Sequence, residues 1–217
     1  MPKLLDLFCG AGGAAVGYHR AGFEVLGVDI SPQPNYPFKF YQEDALAFPL
    51  EGFNAIHASP PCQAYTNSSN RWRGSGGVAD SHPLLLEGTR KRFEELGIPY
   101  VIENVPGASK HMISPKILTG GMFGLGVHRP RLFETNWPLT VPKPSRSPVG
   151  NVGVYGDRPD GRLLYRRKDG SEQHCASSLE EGSVAMGISW MNWRELCESI
   201  PPAYTEFIGK QMIKHCA

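Results

Sequence analysis

The sequence predicts an α/β protein built on a mostly parallel central sheet, and two observations carry that prediction. Two short runs, Phe53-Asn54-Ala55-Ile56-His57-Ala58 and Pro99-Tyr100-Val101-Ile102, are rich in apolar residues. They read as buried strands of a parallel sheet, which are near-continuous in apolar residues rather than alternating. The N-terminus supplies the second observation, a strand, a glycine turn, a helix and a further strand in succession.

The first strand is Lys3-Leu4-Leu5-Asp6-Leu7, running into the turn Phe8-Cys9-Gly10-Ala11-Gly12-Gly13. Ala14 to Ala21 reads as a helix with Gly22 as its stop, and Phe23 to Asp29 as the next strand, ending in a carboxylate. A glycine turn lets the backbone approach a ligand closely. With an acid at the following strand end, the unit suits a nucleoside, the acid meeting the ribose hydroxyls. The turn lacks a phosphate-loop lysine and the full dinucleotide spacing, which favours a cofactor without a pyrophosphate.

The two apolar runs end in Ser59-Pro60-Pro61-Cys62-Gln63 and in Glu103-Asn104-Val105. Residues at the carboxyl ends of parallel strands face the crevice where open α/β sheets bind ligands. A thiol nucleophile beside a carboxyl group suits the activation of an aromatic ring that is not electrophilic enough by itself. Alone, the first element would be a turn and Glu103 a surface acid; together they outweigh that reading.

Helix signals resume at Pro83-Leu84-Leu85-Leu86 and run through Glu94-Glu95-Leu96 to Gly97. Ser109 to Gly126, rich in glycine and turn residues, reads as a crossing to the strand Arg131-Leu132-Phe133-Glu134-Thr135. From Pro138 to Glu181 prolines and glycines recur and no helical or strand period persists. Trp193 to Lys214 reads as helical and packs back on the sheet.

At 217 residues the chain fits one compact soluble domain, and 41% hydrophobic with 20% charged residues is ordinary for such a domain. No stretch reaches the apolar length of a membrane span, and the N-terminus reads as a core strand rather than a signal peptide. Five cysteines without metal-type pairs point to free thiols in a reducing cytoplasm and to no metal. Cys9 is expected to pack inside the strand turn. A net charge of +1 does not by itself announce a nucleic-acid binder. Two local clusters do more, Arg71-Trp72-Arg73 and the stretch with Arg162, Arg166, Arg167 and Lys168, although the second reads nearly as well as a solvated loop.

At these motifs the sequence resembles the DNA cytosine carbon-5 methyltransferases, as a small, phage- or bacterial-type member with a very short target-recognition region. Asp6-Leu7-Phe8-Cys9-Gly10-Ala11-Gly12-Gly13 resembles that family's S-adenosylmethionine motif, Pro61-Cys62-Gln63 its nucleophile motif and Glu103-Asn104-Val105 its base-binding motif. Arg129-Pro130-Arg131 resembles its paired arginines, and Ile200-Pro201-Pro202-Ala203-Tyr204 with Ile208-Gly209 its last motif. The motifs stand in family order and span nearly the whole chain.

The resemblance implies the S-adenosylmethionine-dependent methyltransferase fold, Rossmann-like, with a small irregular recognition insertion. It implies a catalytic, cofactor-binding domain of residues 1–137 and 182–217 and a reduced recognition region of residues 138–181. The implied reaction moves a methyl group from S-adenosylmethionine to carbon 5 of a flipped-out cytosine through a covalent Cys62 adduct. Glu103 would contact ring N3, and Arg129 and Arg131 the base carbonyl and a nearby phosphate. Around the cofactor the resemblance places Phe8, Gly10, Ala11, Gly12, Gly13, Asp29, Ile30, Asp44, Ala45, Pro61 and Ser199, with Phe8 stacked on the adenine. Asp44 would meet the adenine amino group. Glu43 competes for that role, and a helix cap is the ordinary use of Asp44. Ala64 to Gly77 resembles the family's mobile loop, which closes on DNA.

The implied partner is double-stranded DNA, in the cytoplasm of a bacterial or phage-infected host cell. A partner subunit or a second copy is left open, as is a role in restriction, protection or another marking of DNA. Val127 stands where the family carries a glutamine, and Glu198 where it carries an asparagine. Two other readings stay open: the same ring chemistry on RNA or a free nucleotide, and a non-catalytic DNA- or cofactor-binding accessory protein.

Overall fold

The computed structural model describes residues 1–61, 85–143, 152–166, 170 and 172–216. Cys62, the loop Ala64 to Gly77, Arg167 and Lys168 lie outside the described residues. The first three elements follow the sequence closely: strand β1 (Lys3–Leu7), helix α1 (Gly13–Arg20) and strand β2 (Glu24–Asp29). Gly22, with φ of 103°, turns the chain after α1. Strand β3 (Lys39–Gln42) follows, then β4 (Ala55–Ala58), helix α2 (Leu86–Glu94) and strand β5 (Tyr100–Asn104).

Beyond β5, a 3₁₀ turn over Pro106–His111 leads to strand β6 (Lys116–Leu118), and a second over Gly120–Phe123 leads to β7 (Arg131–Thr135). These seven strands form one sheet in the order β3-β2-β1-β4-β5-β7-β6. The pairs among β1 to β5 are parallel, whereas β7 runs antiparallel to both β5 and β6. The crossing from Ser109 to Gly126 therefore contains an edge strand that the sequence did not announce. Three residues are too few to display a period-2 pattern.

Successive side chains of a strand point to opposite faces, and the core divides accordingly. Leu4, Val25, Val101 and Phe133 pack with Ala14, Ala15 and Tyr18 of α1 and with Tyr204, Ile208 and Met212 of the last helix. Leu5, Leu7, Val28, Ile56 and Ile102 pack on the other face with Leu86 and Phe93 of α2.

The interval 138–181 corrects the expectation of an irregular insertion. Strands β8 (Val152–Gly153), β9 (Leu163–Arg166) and β10 (Glu172–Cys175) form a second sheet in the order β8-β10-β9. Each has at most four residues, so proline and glycine composition masked them. Just before β9 Arg162 faces Asp160 at 3.6 Å, and within the sheet Arg166 pairs with Glu172, so that part of the basic stretch is neutralised by its own neighbours.

Helix α3 (Leu179–Met186) follows, capped by the Ser178 side chain accepting from the Glu181 N–H. The C-terminal segment is two helices, α4 (Trp193–Glu198) and α5 (Pro202–Met212). Asn192 and Glu195 form a capping box at the start of α4. The break falls at Ser199-Ile200-Pro201, where the chain is extended before Pro202, as residues preceding proline prefer. A third apolar cluster joins α3, α4 and the small sheet through Val154, Cys175, Met186, Trp193 and Leu196. No helix among the described residues is long and apolar enough to cross a membrane.

Candidate active-site cleft

The carboxyl ends of β1, β2, β4 and β5 open into one cleft of about 420 Å³, within the range of small-molecule sites. The glycine turn forms its floor. Phe8, Gly10 and Gly12 all take positive φ, of 56°, 49° and 85°. For Phe8 this is a strained backbone that only its surroundings hold in place. Asp29 ties the turn to β2: its Oδ2 accepts from the Gly10 N–H at 3.0 Å and its Oδ1 from the Ser31 N–H at 2.9 Å. Each carboxylate oxygen keeps a lone pair for a ligand hydroxyl. Ile30 stands beside it in the cleft mouth, 70% exposed.

The opposite rim is the break between α4 and α5, with Glu195, Glu198, Ser199 and Ile200. It fits tightly over the turn, since a Cβ on Gly13 would lie 2.4 Å from the Ile200 carbonyl oxygen. Trp190 donates from Nε1 to the Ala11 carbonyl at 2.9 Å, and Glu195 accepts from Asn35 at 3.0 and 2.9 Å.

Ser59, Pro60 and Pro61 lie between these walls, with Glu103, Val105 and Arg131 beyond them. Asn104 holds the proline turn by donating from Nδ2 to the Pro60 carbonyl at 3.0 Å. This bond links the two motifs physically: the strand end carrying Glu103 fixes the turn that leads into position 62. Glu103 is buried, with its Oε1 3.1 Å from Arg131 Nε. Burial pushes its carboxyl pKa up; Arg131, the Ser59 hydroxyl and Arg129 pull the other way without cancelling the rise. A carboxyl in that state can hold a proton and donate it to a ring nitrogen.

Of the residues expected at the site, Phe8, Gly10, Ala11, Gly13, Asp29, Ile30, Pro61, Glu103, Arg131 and Ser199 line this cleft. Four others are placed differently. Gly12 faces Tyr36 and Pro37, where an added Cβ would come within 2.8 Å of the proline ring. Asp44 closes its own turn, its Oδ1 accepting from the Leu46 N–H at 2.9 Å, and no helix follows it directly. Ala45 is packed in the core beneath, away from the cleft lining.

Arg129 corrects the expectation that both arginines face a base. It is wholly buried and gives its guanidinium to the carbonyls of Ser199 (2.8 Å), Val154 (3.2 Å) and Cys197. Its own backbone sits at a φ of 33°.

Two buried groups were missing from the sequence-based site. Asp6 lines the cleft, fully buried, and neither of its oxygens makes a well-formed hydrogen bond. Burial and the Asp29 charge raise its pKa well above the ordinary value, against a smaller lowering by the Tyr36 hydroxyl. His57 is its register partner on β4 and bonds both Tyr18 and Ser59. The available signal was a histidine inside an otherwise apolar strand.

No protein-family model matches the chain. Over 126 residues it is 32% identical to the type II methyltransferase M.AquIA of Picosynechococcus sp. (strain ATCC 27264 / PCC 7002 / PR-6). The match takes in 48% of this chain and 49% of that protein, so the chain spans about half the length of the curated relative it matches. A solved E. coli structure, provisionally described as a DNA modification methyltransferase encoded within a prophage, superposes with a TM-score of 0.66. The superposition covers 99% of both chains at 16% identity. The chain has their fold. A mutant DNMT2 from Spodoptera frugiperda gives 0.62 at 14% identity, covering 98% of this chain and 100% of the other. The methyltransferase EhMeth of Entamoeba histolytica gives 0.62 at 13%, covering 99% and 98%. The Rossmann-like methyltransferase architecture thus accounts for the parallel sheet and for a cleft at its carboxyl edge.

Proposed function

We propose that this chain is an S-adenosylmethionine-dependent methyltransferase acting on carbon 5 of cytosine in duplex DNA. The observation that carries the reading is the single cleft in which the glycine turn with Asp29, the Ser59–Pro61 turn and the Glu103–Arg131 pair converge. The similarity to M.AquIA supports the methyltransferase class.

The cleft fits the cofactor. Asp29 has acceptor capacity left for ribose hydroxyls, the exposed Ile30 offers an apolar face for a purine, and Phe8 projects from the strained turn beside them. When bound, S-adenosylmethionine supplies an electrophilic methyl group. Cys62, which follows the held proline turn, adds as thiolate to carbon 6 of the base and raises electron density at carbon 5. Glu103 donates its proton toward N3, and Arg131, 3.1 Å from it, keeps the carboxyl aimed and faces the base carbonyl. After the methyl group joins carbon 5, the proton on that carbon passes to water, its electron pair re-forms the carbon 5–carbon 6 double bond, and Cys62 is expelled as thiolate. A base stacked in a duplex hides carbon 6, so the target is extruded into the cleft at a cost of a few kcal/mol. Residues 138–181, with their small sheet, read the sequence around it.

The test is methyl transfer from tritiated S-adenosylmethionine to duplex DNA, RNA and free nucleotides, for wild type, Cys62→Ser and Glu103→Gln. Duplex DNA carrying 5-fluorocytosine should stall as a denaturation-resistant adduct with wild type and not with Cys62→Ser. Glu103→Gln should lose roughly 10²–10⁴-fold in turnover with its fold intact. Undiminished transfer by either variant, or transfer to RNA alone, would overturn the reading.

A further inference from the structure

Two buried polar side chains that belong to no motif, Tyr18 and His57, stand with the half-buried Ser59 behind the Glu103 carboxyl. Strand alternation and register put Asp6 of β1, His57 of β4 and Glu103 of β5 on one face of the sheet, under α1. Tyr18 of α1 closes that face, with its hydroxyl 2.9 Å from His57 Nδ1 and its ring 5.2 Å from the imidazole. On the far side of the imidazole, Nε2 lies 2.8 Å from Ser59 Oγ; Ser59 and Glu103 line the same cleft, and Glu103 Oε1 is buried with no well-formed hydrogen bond. Tyr18 and His57 are wholly buried, while Ser59 is half-buried at the cleft.

Satisfying every hydrogen fixes the direction of this chain. Burial keeps the imidazole neutral, so it has one N–H and one lone pair. Among the described residues the Tyr18 hydroxyl has His57 as its hydrogen-bond partner, and an undonated buried O–H is costly. The phenol therefore donates to Nδ1, which leaves the imidazole hydrogen on Nε2. Nε2–H then donates to Ser59 Oγ and occupies its acceptor side. The Ser59 hydrogen is left free for an acceptor at the cleft, and the Ser59 hydroxyl is among the groups that lower the Glu103 pKa.

We propose that Tyr18, His57 and Ser59 are positioning residues that fix one donated hydrogen bond on the Glu103 carboxyl and so govern when that group carries its proton. The inference rests on the role given to Glu103 above. The other groups facing the assembly are Arg131 and Arg129, whose charges act on Glu103, and Asp6, whose carboxyl lies near enough to Tyr18 to raise its pKa. None of these reaches His57 by a hydrogen bond. The imidazole is thus the part that sets the orientation of Ser59.

A bond donated to a carboxylate favours its charged form, so losing it raises the pH at which Glu103 ionises. The carboxyl titration of Glu103 can be followed by infrared difference spectroscopy, assigned by subtracting Glu103→Gln. This readout needs no substrate, so it stands whether or not methyl transfer is found. Ser59→Ala should raise the midpoint by about one pH unit, the scale of one hydrogen bond to a charged group. His57→Leu should move it in the same direction. His57→Gln should return it toward wild type, because an amide can accept from Tyr18 and donate to Ser59 at once. In the transfer assay the alkaline limb of turnover should move with the midpoint. If His57→Leu does not fold, Ser59→Ala decides the matter alone. An unmoved midpoint in Ser59→Ala, or a His57→Gln variant that titrates like His57→Leu, would overturn the proposal.

Discussion

Lowering the pH should destabilise this protein through His57 before most acids begin to titrate. Burial pushes the His57 pKa down from 6.5 to about 3. Above pH 6.5 the ring is neutral in both folded and unfolded chains, and it adds nothing to the pH dependence. Below that value the unfolded chain takes up a proton that the folded chain refuses, so stability falls with pH until the buried ring itself titrates. Each unit costs about 1.4 kcal/mol, which gives about 2 kcal/mol at pH 5 and about 5 kcal/mol over the whole span. That span compares with the total stability of a modest domain, about 5–15 kcal/mol. Asp6 and Glu103 act in the opposite sense. Their carboxyls are raised, so the stability they contribute is present below the ordinary carboxyl values and lost as pH rises through the folded ones. The His57 contribution is therefore isolated by comparison with His57→Gln, which keeps those groups and removes the imidazole. Urea unfolding at pH 7 and pH 5 should show wild type losing about 2 kcal/mol more than the variant. Equal losses in the two proteins would refute the argument.

Two substitutions test the packing of α1 on α5 and the floor of the cleft. Gly17→Ala should destabilise by about 1–3 kcal/mol despite the better helix propensity of alanine, as a chemical denaturation curve would show. The added Cβ would lie 2.2 Å from the Pro202 carbonyl oxygen and 2.0 Å from Thr205 Oγ1, so α1 and α5 would have to separate. Asp29→Ala should weaken S-adenosylmethionine binding by about tenfold or more in a calorimetric titration, since it removes a ligand acceptor and frees the Gly10 turn. Unchanged affinity would deny Asp29 its role.

The parts of the site written into consecutive residues were legible in the sequence. The turn from Phe8 to Gly13, Asp29 at a strand end and the Glu103-Asn104-Val105 strand end stand where their local pattern put them. What could not be read were relations between distant segments. Nothing local to Arg129 distinguishes it from Arg131, yet one is spent on three carbonyls from residues 154, 197 and 199 and the other faces the cleft. That Asp44 would bond within its own turn was foreseeable as an ordinary use of aspartate, and its absence from the cleft lining was not. Strands β6 and β8 to β10 are too short to print a period, and β8 pairs with β10 about twenty residues further along the chain. His57 looked like a blemish in an apolar strand because its two partners come from α1 and from beyond the strand end.

The buried Arg129 side chain has a consequence for anyone who would exchange the region between β7 and α3 for that of another protein. One guanidinium closes a knot of three segments: the stretch after β8 at Val154, the end of α4 at Cys197 and the cleft rim at Ser199. The Tyr155 ring lies over the same group, 5.8 Å from the guanidinium carbon. A transplanted region that offers no carbonyl and no ring at that place would leave a buried cation short of a partner, with the rim that shapes the cleft hanging on what remains. The segment after β8 is thus a fitted brace behind the cleft rim rather than an interchangeable cassette, and any graft must bring its own plug for this socket.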